Sequence, residues 1–457
     1  MKKKVLFGLV FLFVALTMQA QQKHELTVKE AVELAYKNVV ELKNAEIDYQ
    51  IQVAKNREIL GQAYPQLTGN FGANNYLKLP SVLFPQSDEG VYSVLRREGL
   101  VTPTTAAPPP SLIPFSFQQP WNMQFGATLQ QLLFQPDVFV GLQARTTALS
   151  YSQALIDQTR EKIKDSAYKR YYAILIAEKQ LQFIDAGLQR LQKLYSDDSI
   201  MYKNGFAERL DLDKVQVQLN NLSSTRSAVD NAIQISYAAL KFAIGLPQAD
   251  TVVLKENLTA EFLKEDILNN NFKYEDRAEI RTLAELQKLQ QLDVKRYKLG
   301  YLPTVAASAN YTRVGQGKQF FTSSSTFWYS SSFVGINVNI PIFDGFQRKY
   351  KTQQAALNVE KINNTITNVK QAIDFEQKAV SSSLRSALVN LDVQERNISL
   401  AERVYNGSKL KFEQGLGSSF EVLQADTEMQ NAQSNYFNAL YNTVVAKTSY
   451  LYSLGRL

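Results

Sequence analysis

Apolar and polar residues alternate with a period of two in four segments of this chain. In the clearest segment the polar face carries Asn, Gln and Thr, and the apolar face comprises Trp121, Met123, Phe125, Ala127 and Leu129. Segments 67–74, 304–312 and 334–340 alternate in the same way. Strands of about ten residues are long enough to cross a bilayer when tilted, so we predict two membrane hairpins, at 66–131 and 304–341.

Strands of an ordinary sandwich, with one face in a protein core, are the alternative interpretation of this alternation. Two features favour the membrane. The polar faces hold Asn, Gln, Ser, Thr and Gly rather than Lys and Glu, as expected of a lumen wall. Aromatic residues also lie towards the strand ends, where interfacial girdles occur. These aromatic residues are Phe71, Tyr76, Trp121, Tyr311, Trp328 and Tyr329.

Helical spacing of apolar residues dominates the rest of the chain. The first helix is expected from residue 26 to about 62, with Thr27 and Glu30 forming a capping box at its start. Two proline-free stretches, 137–202 and 346–412, predict helices of about 66 residues, each about 100 Å long at 1.5 Å per residue.

A shorter return helix is predicted after each long helix, at 208–244 and at 418–454. In the first of these, a 3-4 spacing of apolar residues indicates a coiled-coil seam. The seam residues are Leu212, Val215, Leu219, Leu222, Val229 and Ile233, and the second return helix has smaller residues at the matching positions.

The chain contains a tandem duplication with an offset of about 210 residues. Tyr202-Lys203-Asn204-Gly205 matches Phe412-Glu413-Gln414-Gly415, and the match continues to the end of each return helix. We therefore divide the chain into a first repeat at 21–245, an inter-repeat equatorial segment at 246–275, and a second repeat at 276–457.

The two strand hairpins differ in their outer loops. Residues 78–120 hold eight of the thirteen prolines and predict a long irregular loop, with a short helix near 91–98. The corresponding loop of the second repeat, 315–327, is short and rich in Ser, Gly and Thr.

Residues 1–20 are expected to be a secretory signal peptide, because three lysines precede about twelve apolar residues and a small residue, Ala20. Without them the chain has 47 basic and 43 acidic residues, a mild balance that predicts no nucleic-acid partner.

The chain has no cysteine and one histidine, His24, which we interpret as a tail residue beside the cleavage site. These counts exclude disulfides, thiol nucleophiles and zinc-thiolate sites, and leave no residues for a histidine-based triad. We expect no catalytic residues, no cofactor and no metal, and therefore no enzyme.

Four membrane strands cannot close a barrel, and open sheet edges are costly in lipid. The chain is therefore expected to oligomerise, either as a dimer with eight strands or as a trimer with twelve. Eight strands fill their own interior, whereas twelve leave a pore, so we favour a homotrimer.

The whole mature chain resembles the TolC family of outer-membrane efflux proteins. The resemblance rests on Tyr64-Pro65-Gln66-Leu67 and Leu302-Pro303-Thr304-Val305 before the strands, and on the junctions Leu132-Leu133-Phe134-Gln135-Pro136 and Ile340-Pro341-Ile342-Phe343-Asp344-Gly345 after them. Segments 202–213 and 412–426 resemble the two helical hairpin tips.

This resemblance implies a mainly α fold with membrane β-strands. A trimeric twelve-stranded β-barrel in outer-membrane lipid would be continued by an α-helical barrel in the periplasm. It also implies a passive conduit of a tripartite efflux or type I secretion system. Such a conduit docks onto a periplasmic adaptor protein and an inner-membrane pump of the RND or ABC type.

The resemblance implies two sets of site residues near the tips. The adaptor contacts would be Asn204, Gly205, Phe206, Gln414, Gly415 and Leu416. The acidic residues that narrow the periplasmic aperture of the family fall on Glu421 and on Gln424, which has no carboxylate. We add Asp426, which lies close to the second position, and a second acidic patch at the first tip, Asp211 and Asp213. The family's latching arginine falls on Gly417, so the closed state is expected to be held by other residues.

Each of these assignments has a simpler alternative. The tip glycines could serve no purpose other than turning the chain, and Glu421 could lie on a solvated helix face. For the whole protein, the alternative is a non-conducting trimeric periplasmic stalk or surface structural protein, although such a protein would not need four amphipathic strands of membrane length.

Overall fold

The computed structural model describes residues 23–256, 263, 272–320 and 326–457. The predicted signal peptide lies outside these residues, as do parts of the inter-repeat segment and of the 315–327 loop. The chain forms two compact units. We call Met1–Val53, Thr146–Gln291 and Ala356–Leu457 the helical unit, and Ala54–Arg145 and Leu292–Ala355 the sheet unit.

Helices make up most of the described chain. Their bounds are α1 Val28–Asn38, α2 Val40–Gly61, α3 Glu89–Arg97, α4 Pro136–Lys203, α5 Arg209–Ala243, α6 Ala278–Leu299, α7 Gln347–Glu413 and α8 Ser419–Ser453. The strands are β1 Lys23–Leu26, β2 Gln66–Asn75, β3 Val82–Gln86, β4 Ser111–Phe115, β5 Trp121–Phe134, β6 Thr251–Leu254, β7 Thr304–Gly317 and β8 Phe327–Asn339. No helix in the described part of the chain has an apolar stretch long enough to span a membrane.

The first predicted helix is two helices, and the single helix expected from 26 to 62 is wrong. The Thr27 side chain accepts a hydrogen bond from the Glu30 amide, so the capping box that starts α1 is confirmed. The break falls at Val39, whose extended backbone (φ −65°, ψ 126°) turns the buried valine side chain into the core. Gly245 packs against Asn38 at this point, where a Cβ would lie 2.7 Å from the Asn38 Cβ.

Apolar faces of the long and short helices bury the core of the helical unit. Near its centre, Tyr171 is fully buried and donates a hydrogen bond of 2.8 Å to the Leu26 carbonyl. A second cluster lies in the last turns of α4 and the first turns of the return helices. It comprises Leu191, Leu194, Val215, Leu219, Leu222, Val422 and Leu423. Three seam positions predicted on α5 are therefore buried in this cluster.

His24 belongs to an ordered strand, so its interpretation as a tail residue is wrong. Strand β1 pairs in parallel with β6 from the inter-repeat segment, and His24 lies opposite Val252. Its Nε2 atom is 3.0 Å from the Asp250 carboxylate. The contact partner lies 226 residues away in sequence, which no local pattern reveals.

The sheet unit contains one four-stranded antiparallel sheet in the order β2-β5-β7-β8. The sequence predicted an irregular loop between β2 and β5, but parts of this loop are regular. It holds the antiparallel pair β3–β4 and helix α3. The pair is five residues long on each side and includes two of the loop's prolines, Pro85 and Pro114.

Candidate functional site

Cross-strand partners give the four-stranded sheet one apolar face and one polar face. Leu67, Leu129, Ala309 and Val334 are successive partners across the four strands, in a row of side chains on the same face. Leu67 is 72% exposed and Val334 is 85% exposed. The described chain leaves these side chains uncovered. Strands that face lipid are expected to have such a continuous apolar face.

The opposite face is polar and hydrogen-bonded within itself. Asn310 donates to the Thr128 hydroxyl at 2.9 Å and accepts from the Thr312 hydroxyl at 2.8 Å. Asn337 donates to the Ser308 hydroxyl at 2.9 Å. These side chains are uncharged amides and alcohols, which fit the wall of a water-filled lumen.

The sheet has two open edges. Strand β2 pairs only with β5, and β8 pairs only with β7, among the strands that the structure describes. Each outer edge therefore presents unpaired peptide groups over ten or more residues. Such edges require a partner strand in lipid.

The tips of the helical unit are two matching helix–turn–helix connections. At the first tip, Gly205 has φ +80° and Phe206 donates its amide hydrogen bond back to the Met201 carbonyl at 2.9 Å. At the second tip, Gly415 has φ +73° and the Leu416 amide donates to Lys411 at 2.9 Å. This is the left-handed helix ending that glycine favours.

Both tips expose an apolar side chain immediately after the glycine. Phe206 is 80% exposed and Leu416 is 78% exposed. Asn204 uses its side chain to close the helix end, donating to the Ile200 carbonyl at 2.8 Å. The structure thus places the predicted tip residues together on two exposed turns; their contact with an adaptor stays a prediction.

The four predicted aperture acids have different surroundings. Glu421 is exposed in the first turn of α8, where its amide is capped by the Ser418 hydroxyl at 3.3 Å. Asp213 is also exposed, with Arg209 3.9 Å away. Asp211 is partly buried and pairs with Lys214 at 3.2 Å.

Asp426 does not fit the aperture prediction. It is only 1% exposed, and its carboxylate lies 2.8 Å from Nε of Arg190 on α4. Gln430 donates to the other carboxylate oxygen. Because this charge is buried and paired within the chain, Asp426 offers no free carboxylate to a channel lumen.

The Arg190–Asp426 pair was missed by the sequence analysis. The Arg190 guanidinium also lies over the Tyr405 ring, 5.4 Å from its centroid. Burial raises the pKa of Tyr405, and the nearby Asp426 charge adds to this increase. These contacts join helices α4, α7 and α8 at positions ten to fifteen residues from the tip glycines. Arg190 is one of four arginines in α4, and the sequence does not distinguish it from the others.

Asp198 on α4 is a second buried acid near the tips. It is 1% exposed, and neither carboxylate oxygen has a hydrogen-bond partner among the described residues. Burial raises its pKa, the neighbouring charges of Asp211 and Asp197 raise it further, and the nearby Ser419 hydroxyl acts in the opposite direction. No group of acids or histidines in the described chain could hold a metal ion.

Residues 278–455 match the family model described as outer membrane efflux protein. This match spans nearly all of the second repeat but less than half of the chain. TolC of Vibrio cholerae serotype O1 is 19% identical to this chain over 337 residues, which cover 73% of this chain and 76% of the relative. The alkaline protease secretion protein AprF of Pseudomonas aeruginosa is 18% identical over 324 residues, 70% of this chain and 66% of the relative.

Two solved structures have a fold similar to that of this chain. The crystal structure of CusC matches with a TM-score of 0.70 at 15% identity, over 93% of this chain and 91% of CusC. VceC from Vibrio cholerae matches with a TM-score of 0.68 at 15% identity, over 94% and 96% of the two chains. The predicted TolC-like fold is confirmed.

Proposed function

We propose that three copies of this chain form an outer-membrane conduit that exports solutes or proteins passively. The observation that carries the proposal is the four-stranded sheet with one exposed apolar face, one uncharged polar face and two open edges. Three such sheets joined edge to edge give twelve strands and no free edge. A barrel of this size leaves a water-filled lumen.

We further propose that the conduit belongs to a tripartite efflux or type I secretion system. The helical tips, with Phe206 and Leu416 exposed beside the turn glycines, offer a small apolar surface to a periplasmic adaptor protein. An inner-membrane pump of the RND or ABC type would supply the energy. The protein itself would act as a duct and not as an enzyme.

Glu421 is the best-placed charge for a selective aperture. It is exposed in the first turn of α8, and three copies would bring three carboxylates around one axis. Asp213 and Asp211 would contribute less to the charge of this aperture. Asp426 would contribute none, because it is buried and paired with Arg190. A ring of carboxylates attracts cations and repels anions.

The conduit is tested by its oligomeric state and its conductance. Protein extracted from outer membranes should run as a trimer in chemical cross-linking and open ion-conducting pores in planar bilayers. Pores from the E421Q variant should lose part of their cation preference. The control is E402Q, at an exposed acid of α7 outside the aperture set, which should leave that preference unchanged. A trimer that never conducts would support the stalk alternative, and a freely soluble monomer would contradict both.

The adaptor surface needs a separate test in cells. A strain lacking the protein would be complemented with variants carrying F206D and L416D, and its sensitivity to exported compounds measured. We expect trimers to reach the outer membrane while export fails. Full export by the double variant would contradict docking through these two side chains.

A further inference from the structure

The loop between β2 and β5 carries an apolar two-stranded ribbon, which we define as β3 plus β4. Its register places Val82 opposite Phe115 and Phe84 opposite Ile113, on one face. The other face is also apolar and comprises Leu83, Pro85, Leu112 and Pro114. All ten residues of the two strands are exposed.

One face of the ribbon is aromatic. Phe117, just after β4, stacks edge-on against Phe115 at 4.9 Å and against Phe84 at 5.8 Å between ring centroids. These three residues remain 46–67% exposed even though their rings contact one another. Burial of apolar surface stabilises a protein, so leaving this face in water is costly. A two-stranded ribbon is also marginal without something packed on it.

The residues of the ribbon favour a partner that packs on its face over a strand that pairs with its edge. Pro85 and Pro114 lack amide hydrogens, and prolines at strand edges block the addition of further strands. The occupant is therefore a surface that packs on side chains.

The base of the loop lies beside an open edge of the sheet. The Tyr76 amide donates to the Pro120 carbonyl at 2.7 Å, which extends the β2–β5 ladder by one step towards the ribbon. In a ring of identical sheets, the open edge of β2 meets β8 of the next copy, because head-to-tail contacts repeat around the ring. β8 begins at this same outer end of the sheet with Phe327, which is 69% exposed, and Tyr329.

Charge argues against anionic lipid headgroups as the occupant. The two arginines of α3, next to the ribbon, are neutralised locally, since Arg96 pairs with Glu89 at 2.7 Å and Arg97 with Glu98 at 3.0 Å. The loop thus presents no cluster of unpaired basic residues among those described, and a polybasic cluster is what binds such headgroups.

We propose that the aromatic face of the ribbon packs on the outer end of β8 in a neighbouring copy of this chain, over Phe327 and Tyr329. The inference rests on the trimer proposed above. Both aromatic residues alternate onto the polar face of the sheet, so this contact narrows the outer mouth of the conduit.

Cysteine cross-linking tests the contact directly, because the chain has no cysteine of its own. F117C combined with F327C should form covalent dimers and trimers on denaturing gels after mild oxidation. The control combines F327C with A106C, an exposed position in the same loop outside the ribbon, and should form few. In bilayers, replacing Phe84, Phe115 and Phe117 by Ser should raise single-channel conductance about twofold, because an apolar constriction is removed.

The outcomes separate this inference from the conduit itself. Failure to form trimers would refute the proposed function. A conducting trimer with no covalent oligomers, or with conductance unchanged in the serine variant, would overturn the contact and leave the conduit intact. The contact would also be overturned if F117C reacted fast with a soluble maleimide in detergent-purified trimers and became protected only in lipopolysaccharide vesicles, since the ribbon would then lie in lipid.

Discussion

The Arg190 guanidinium lies 2.8 Å from the Asp426 carboxylate and joins the first repeat to the second. The two residues are 236 positions apart and sit on the long helix of one repeat and the return helix of the other. Because Asp426 is almost completely buried, its charge depends on this arginine and on Gln430. The pair therefore fixes how α4 and α8 pack just above the tips.

Removing the arginine should loosen this packing. We expect R190Q to lower the free energy of unfolding by about 3 kcal/mol, since a buried charge left without its partner is strongly destabilising. Hydrogen exchange of α4 and α8 should rise near residues 190 and 426. The matched control is R396Q, which breaks an exposed pair with Asp392 and should cost about 1 kcal/mol or less. Equal effects of the two substitutions would contradict a structural role for the buried pair.

At the two tip glycines there is space for a side chain, but the backbone conformation disfavours one. A Cβ at Gly205 or Gly415 would meet no atom within 4 Å, yet both residues have positive φ. G205A and G415A should each cost about 1 kcal/mol, the strain of a left-handed backbone in an L-residue. G407A, in the exposed interior of α7, should stabilise by up to about 1 kcal/mol. Thermal unfolding of the three variants compares them, and a stabilised G415A would show that the turn readily adopts another conformation.

We predict that Asp198 makes the stability of the folded chain depend on pH. Its pKa is raised in the folded chain, chiefly by burial, so the folded state holds this proton more tightly than the unfolded state does. Stability should therefore fall as the pH rises from the usual aspartate range through the raised pKa.

The D198N variant keeps the shape and removes the charge. It should be more stable than the parent at neutral pH, by on the order of 1 kcal/mol, and should show no gain at acidic pH where the parent is already protonated. D213N, at an exposed acid, should leave the pH dependence unchanged. Thermal unfolding between pH 3 and 8 provides the measurement. If D198N and D213N changed the pH dependence of stability equally, Asp198 would not be the source of that dependence.

The fold class could be predicted because its signals are local. Alternation around Trp121 and Val334 reports one lipid-facing and one polar face, and the absence of proline from α4 and α7 reports uninterrupted helices. The tip turns were also predictable, since Gly205 and Gly415 follow helical stretches and adopt the left-handed conformation that ends a helix.

The remaining features depend on contacts between distant residues. Val39 breaks the first helix because it turns into a core that includes residues of α4 and α8. His24 is ordered by Asp250, and Asp426 is buried by Arg190. The ribbon was missed because its prolines indicate a loop, while its pairing depends on a register between segments about thirty residues apart.

The sheet itself gives the last prediction. Val334 lies on the apolar face at the middle of β8, whereas Ser331, three residues before it, lies on the polar face opposite Thr312. A lysine in contact with lipid near the bilayer centre costs about 2–4 kcal/mol, but a lysine in a water-filled lumen stays hydrated. V334K should therefore impair trimer assembly and refolding into lipid vesicles, while S331K should assemble normally and change ion selectivity. If S331K failed to assemble and V334K did not, the two faces of the sheet would be assigned the wrong way round.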